Sequence, residues 1–291
     1  MFKIIYMGSY NKEICSIVSK FENIKVVSFI VDSSISEENK EELRVFWKEK
    51  NVPEIDLEEE NIKDAALIFV CGYTKIIKSC LLSKYIFVNI HAGNLPRWRG
   101  TSANSWSILN GEYDIAYSLH RVTEELDGGP IFYKYEYRIK DEEKYGDARK
   151  KLELMLEKKL EKELLKICSG KNKGTQQEGK YIYCNSFRKE DGVITNWNHN
   201  TKEIWDMYRI FGYPYGTGLY FIYKGKKYQI LELALDPCFG EGNTTLGAVV
   251  YKCDKWVWIK TKDTAIKIGN VKNEEGIISS ASSFLSIGTR L

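Results

Sequence analysis

The sequence predicts an α/β protein in two parts. The first is a Rossmann-like, mostly parallel sheet with helices on both faces. The second is a smaller β-rich domain, an OB-like, partly open barrel. Two observations carry this reading. Short apolar runs of strand type alternate with helical patterns through the first 170 residues, as in βαβ units. Beyond a polar, Gly-rich stretch at 169–179, the pattern changes to short alternating strands separated by turns. The expected boundaries are therefore 1–170, a linker at 171–180, and 181–291.

Residues 2–7 are apolar and β-prone, and form the first strand. Gly8-Ser9 then turns into a helical pattern at Ile14, Ile17, Val18 and Phe21. Gly8 belongs to no G-x-G-x-x-G or Walker pattern, so it is read as a tight strand-to-helix turn. Strands follow at 26–31, 65–71 and 86–90, with a helix at 43–50 between the first two. A short helix at 102–109, capped by Ser102, leads to strands at 117–122 and 131–139. From 142 to 167 an apolar stripe at Ala148, Leu152, Leu156, Leu160 and Leu164 marks a long amphipathic helix. The second part opens with a helix at 201–211. Strands at 219–223, 227–235, 247–252, 256–261 and 265–268 complete it.

Composition excludes several classes. Apolar content of 43% and charged content of 29% are ordinary for a globular protein. A net charge of +3 argues for no polyanionic partner. The seven cysteines, at 15, 71, 80, 168, 184, 238 and 253, form no C-x-x-C pair and read as reduced thiols. No stretch reaches eighteen apolar residues, and no signal-peptide core is present, so a cytoplasmic protein is expected. The three histidines have no ligand spacing with Cys or carboxylates, and no metal is expected.

Chemistry concentrates in two places. The strand ending Asn89-Ile90-His91 puts two polar side chains on one face, then opens into a loop broken by Gly93, Pro96 and Gly100. About thirty-five residues on, Glu125-Leu-Asp127-Gly-Gly-Pro130 is a turn that bears a carboxylate. Together they supply a set for acyl transfer to an amine. Asn89 donates to an oxyanion, His91 donates when protonated or moves a proton, and Asp127 holds His91 charged and receives the amine's proton. A lone histidine at a strand end is more often structural, and His120, alternating with apolar neighbours, is read that way.

Asn89-x-His91, Asn94-Leu95-Pro96-x-x-Arg99-Gly100 and Asp127-x-Gly129-Pro130-Ile131 resemble the signature of the folate-dependent formyltransferases. Ala92-Gly93-Asn94 departs from the family's usual loop, which touches substrate contacts more than the triad. Tyr181-x-Tyr183, Asp191-Gly192-x-Ile194, Pro214-Tyr215-Gly216 and Phe284-Leu285-x-x-Gly288 resemble the family's second domain. The resemblance implies Asn89, His91 and Asp127 as catalytic residues and N10-formyltetrahydrofolate as co-substrate. It also implies folate contacts at Lys75, Ile76 and Ile77. Arg97 and Arg99, beside Trp98, suit an anionic or sugar-bearing acceptor.

The acceptor is read from charge. Relatives that formylate initiator Met-tRNA carry a basic loop after the second strand, whereas residues 32–42 here hold five acids and one base. Residues 177–291 hold 15 Lys/Arg against 12 Asp/Glu, with no basic aromatic stripe. A UDP- or dTDP-linked amino-deoxy sugar is therefore expected ahead of tRNA, with no nucleic-acid or membrane partner. Leu119-His120-Arg121-Val122 also looks closer to the sugar-nucleotide branch. A folate-binding regulator with dead chemistry is the third reading, and the intact triad stands against it. Pairing into a homodimer is left open.

Overall fold

The structure, a computed structural model, describes every residue except 213, 215, 237–241 and 243. Cys238 and the Tyr215 of the Pro214-Tyr215-Gly216 motif lie outside the described residues. Two compact units emerge. The first comprises residues 1–107, 113–138 and 149–185, the second residues 108–112, 139–148 and 186–291.

The first unit contains β1 (Phe2–Gly8), α1 (Lys12–Ser19), β2 (Ile24–Val31), α2 (Glu37–Lys48), α3 (Glu59–Ile62), β3 (Leu67–Cys71), α4 (Ser79–Lys84) and β4 (Phe87–His91). It continues with β5 (Trp98–Gly100), most of α5 (Ala103–Leu109), β6 (Asp114–Arg121), β7 (Ile131–Arg138), most of α6 (Tyr145–Cys168) and β8 (Ile182–Cys184). Six strands make one sheet in the order β2-β1-β3-β4-β6-β7. The first four are parallel, β6 runs antiparallel to β4, and β7 runs antiparallel to β6. β3 is buried along its whole length, as a strand covered on both faces must be. The order reverses at β1 and β3, and right-handed crossovers then place helices on opposite faces. Such a switch point leaves a crevice at the carboxyl ends of the strands.

Local sequence explains the helix starts. Asn11 caps α1 by accepting from Ile14 N, and Ser36 caps α2 by accepting from Asn39 N. The helix expected at 43–50 therefore begins six residues earlier, at Glu37. Ser102 does not cap α5 in extended form; its φ is 56°. Residues 171–180, expected as a linker, bond into the first unit. Thr175 pairs with Ile131, and Asn172 donates to Phe132 O.

The second unit contains β9 (Val193–Ile194), α7 (Thr201–Phe211), β10 (Tyr220–Tyr223), β11 (Lys226–Ile230), β12 (Leu233–Ala234) and β13 (Val249–Lys252). β14 (Val257–Lys260), β15 (Ala265–Ile268), β16 (Asn270–Lys272) and β17 (Ile278–Ser280) follow. They form two open sheets, β17-β16-β11-β10-β9 and β12-β15-β14-β13. Among the described residues no barrel closes. α7 starts with a reciprocal Asn200/Glu203 capping box, and Asp263 fixes the same end by accepting from Thr201 N and Oγ1.

Candidate active site

β4 delivers Asn89 and His91 to the carboxyl edge of the sheet, and β6 lies beside it with His120 directly opposite Asn89. The turn after β6 brings Asp127 back over that edge. Asp127 has φ 49°, a left-handed conformation that Asp adopts more readily than most residues. The Gly-Gly that follows is required by space: a Cβ on Gly129 would stand 2.0 Å from Arg121 O.

Asp127 is the hub. Its Oδ2 accepts from Gly100 N at 2.8 Å and lies 3.5 Å from His91 Nδ1. Its Oδ1 lies 3.3 Å from His120 Nε2. Burial alone would raise its pKa, but the imidazoles of His120 and His91 beside it and the Gly100 N–H together hold it down at about 2. Asp127 is thus ionised throughout the physiological range.

His91 is 7% exposed, and its Nε2–H donates to Trp98 O at 2.8 Å. A carbonyl only accepts, so this bond puts the hydrogen on Nε2 and leaves Nδ1 facing the carboxylate. Burial pulls the His91 pKa below its ordinary value, against the opposing pull of Asp127. Desolvation thus favours the neutral ring, and the Asp127 carboxylate favours the charged one expected from the sequence. Neutral His91 with Nδ1 bare can take up a proton, and Asp127 would stabilise the imidazolium so formed. Gly93 makes room for the ring, since a Cβ there would sit 2.3 Å from His91 Nε2.

His120, read as structural from its apolar neighbours, stands in this cluster. It is 2% exposed, with Nε2 3.1 Å from Asn89 Nδ2 and Nδ1 2.9 Å from Arg121 O. The antiparallel register of β4 and β6 makes the contact, and no spacing within either strand signals it.

The two arginines differ in their surroundings. Arg99 is 3% exposed, not a free loop cation. It bonds Glu125, donates to Gln177 Oε1 at 3.0 Å, and lies 3.9 Å from the centre of the Tyr181 ring. Its carboxylate, amide and ring partners make it a strut of the site wall. Trp98 is equally buried, so it offers no face for stacking, while half-buried Arg97 lies over its ring. Gln177 was not legible as a site residue. Its Nε2 donates to both Asp127 O and Gly129 O at 2.7 Å, clamping the turn that carries the carboxylate.

The expected folate loop lies at the same edge, after β3. Ile76 is 97% exposed, and Lys75 is exposed and bonds Ser33. Ile77 is 7% exposed, and its side chain packs in the core with Met7, Ile68 and Leu81. Fully buried Asp32 fixes the loop by accepting from Thr74 N and Oγ1 at 2.6 and 2.8 Å. It also accepts from Ser34 N and Oγ, which ties the end of β2 to the end of β3.

The formyl transferase profile matches residues 8–163, more than half of the chain. The chain belongs to the formyl transferase family. The profile of the family's C-terminal domain matches residues 187–287. Among curated relatives, the methionyl-tRNA formyltransferase of Pelagibacter ubique is 33% identical over 181 residues, which cover 61% of this chain and 57% of that protein. That of Fusobacterium nucleatum is 28% identical and covers 99% of both. Among solved structures, the N-formyltransferase of Helicobacter canadensis, in complex with folinic acid and dTDP-3-aminofucose, matches with a TM-score of 0.67. It is 18% identical and covers 92% of this chain and 99% of its own, a likeness of fold. In this formyl transferase, the sheet edge therefore gathers one amide, two imidazoles and a carboxylate.

Proposed function

We propose that the chain moves the formyl group of N10-formyltetrahydrofolate to the primary amine of a UDP- or dTDP-linked amino-deoxy sugar. The observation that carries the acceptor is the acidic start of α2. Glu37 and Glu38 stand in its first turn, with Glu41 and Glu42 next. Asp32 ties the segment leading into that turn to the loop after β3, at the carboxyl edge of the sheet. Association with tRNA depends on neutralising successive phosphates, and four carboxylates there oppose it. A nucleotide sugar brings only two phosphates. The Helicobacter canadensis enzyme, with its dTDP-3-aminofucose, supports the same reading.

In this mechanism the neutral amine attacks the formyl carbon, and a C–N bond forms. Asn89 donates to the oxygen as it gains negative charge. The amine's proton passes to the Asp127–His91 pair. The bond from the formyl carbon to N10 then breaks, and N10 takes a proton as tetrahydrofolate leaves. Ile76, exposed beside Lys75, offers an apolar contact for the pterin ring. A cytoplasmic setting fits the six described cysteines, all free thiols.

The second reading is formylation of initiator Met-tRNA, favoured by the names of both sequence relatives. One assay separates them: tetrahydrofolate release with UDP- and dTDP-amino sugars set against charged initiator Met-tRNA. Turnover with a sugar nucleotide and none with tRNA is expected. The reverse result overturns the proposed acceptor and leaves formyl transfer standing.

A further inference from the structure

A primary amide beside an oxyanion is useful in only one of its two orientations. With an N–H turned to the oxygen it stabilises; flipped by half a turn it presents a carbonyl and repels. Something must choose. In the antiparallel register of β4 and β6, Asn89 and His120 stand opposite each other and leave the same face of the sheet. His120 Nδ1 lies 2.9 Å from Arg121 O, which can only accept, so Nδ1 carries the hydrogen. Nε2 of the neutral ring is then an acceptor, and Asn89 Nδ2 is 3.1 Å away. One amide hydrogen is committed there, which fixes the plane of the amide and leaves the second N–H on the same nitrogen. The flipped amide would set Oδ1 against the Nε2 lone pair.

We infer that His120 is a positioning residue: its Nε2 lone pair selects the Asn89 orientation that keeps an N–H available to the oxyanion. The inference rests on the reading of Asn89 as oxyanion donor. Backbone supplies the first link, since the Arg121 carbonyl sets the His120 tautomer and the tautomer sets the amide. A competing route exists, because the same Nε2 lies 3.3 Å from Asp127 Oδ1, and His120 could act through the carboxylate instead.

The test uses the full chain, with whichever acceptor it turns over, and compares His120→Leu, His120→Gln, Asn89→Ala and the double variant Asn89→Ala/His120→Leu. His120→Leu removes the acceptor and should lower kcat about 10- to 100-fold with KM nearly unchanged, less than the 10²–10³ loss for deleting the donor itself. His120→Gln, whose Oε1 reaches towards the Nε2 position, should recover most of that loss. In the Asn89→Ala background, His120→Leu should cost nothing further. Equal losses for Leu and Gln, or the same His120→Leu loss in both backgrounds, overturn the inference. If His120→Leu fails to fold, His120→Asn takes its place. Its shorter amide reaches only the Nδ1 position and should stay slow beside His120→Gln, whereas equal rates for Asn and Gln overturn the inference. Near-normal turnover in Asn89→Ala would instead remove the oxyanion reading itself, a distinguishable failure.

Discussion

At Asn89 the proposed contribution to catalysis is confined to the moment when the formyl oxygen carries charge. Asn89→Ala should therefore lower kcat by roughly 10²–10³, or about 3–4 kcal/mol of barrier, and leave acceptor KM little changed. Initial rates of tetrahydrofolate release at saturation read this directly. His91 gives a pH signature. Burial lowers its pKa from the ordinary value of about 6.5, so the neutral ring persists below that pH. Activity should be flat through neutrality and fall on an acid limb below 6.5. Asp127→Asn removes the charge that opposes burial, so its residual activity should carry that limb further to the acid side. The same shifts bear on stability. Both groups bind fewer protons folded than unfolded, so stability is lost as pH falls, below about 6.5 for His91 and from about 4 towards about 2 for Asp127. Thermal melts across pH 3–8 check the sign. Asn89, His91 and Asp127 were legible because strand alternation and a Gly-Gly-Pro turn are local signals. His120 was not, because only the pairing register of two strands places it, and neither was the burial of Arg99, because a loop arginine carries no mark of it.

Single side chains act here through the elements that hold them. The loop from β4 to β5 passes so close to the His91 ring that only glycine fits at position 93. Gly93→Ala should push the imidazole off Trp98 O, destabilise the fold by about 1–3 kcal/mol and cut activity. Melting temperature and kcat measured together check it; loss of stability with full activity would dissociate the loop from the ring. Residues 171–180 looked like a linker because Gly, Lys and Gln give no periodicity, yet Gln177 holds the Asp127 turn by two hydrogen bonds. Gln177→Ala should cost about 1–3 kcal/mol and lower kcat, since both carbonyls lose their partner. The long elements were legible where periodicity was strong: α7 falls at Thr201–Phe211 as expected, and the buried stripe of α6 sits at the predicted leucines. β5 and β8 escaped notice because each is three residues long and exists only by pairing with the other. β16 and β17 are equally short.

On the scale of the whole chain, charge is the ground on which a sugar nucleotide is proposed as acceptor. Binding of a polyanion releases counterions, and its log affinity falls steeply with log salt, by roughly 0.7–0.9 per phosphate neutralised. With a net charge of +3 and acids at the start of α2, the chain should show an acceptor KM that rises only mildly with salt. KM measured from 50 to 300 mM salt checks this, and a slope of several would indicate a tRNA-like partner. The fold class was legible in the change of pattern along the chain, from alternating strands and helices to short strands. The closure of the second part was not, because whether short strands curl into a barrel or stay as two open sheets depends on their order in space. Gln177 carries one more consequence, for the order of synthesis. Asn89, His91, His120 and Asp127 leave the ribosome well before the residue that clamps the Asp127 turn. A nascent chain halted near residue 170 would hold these four side chains and still lack the fastening that aligns them.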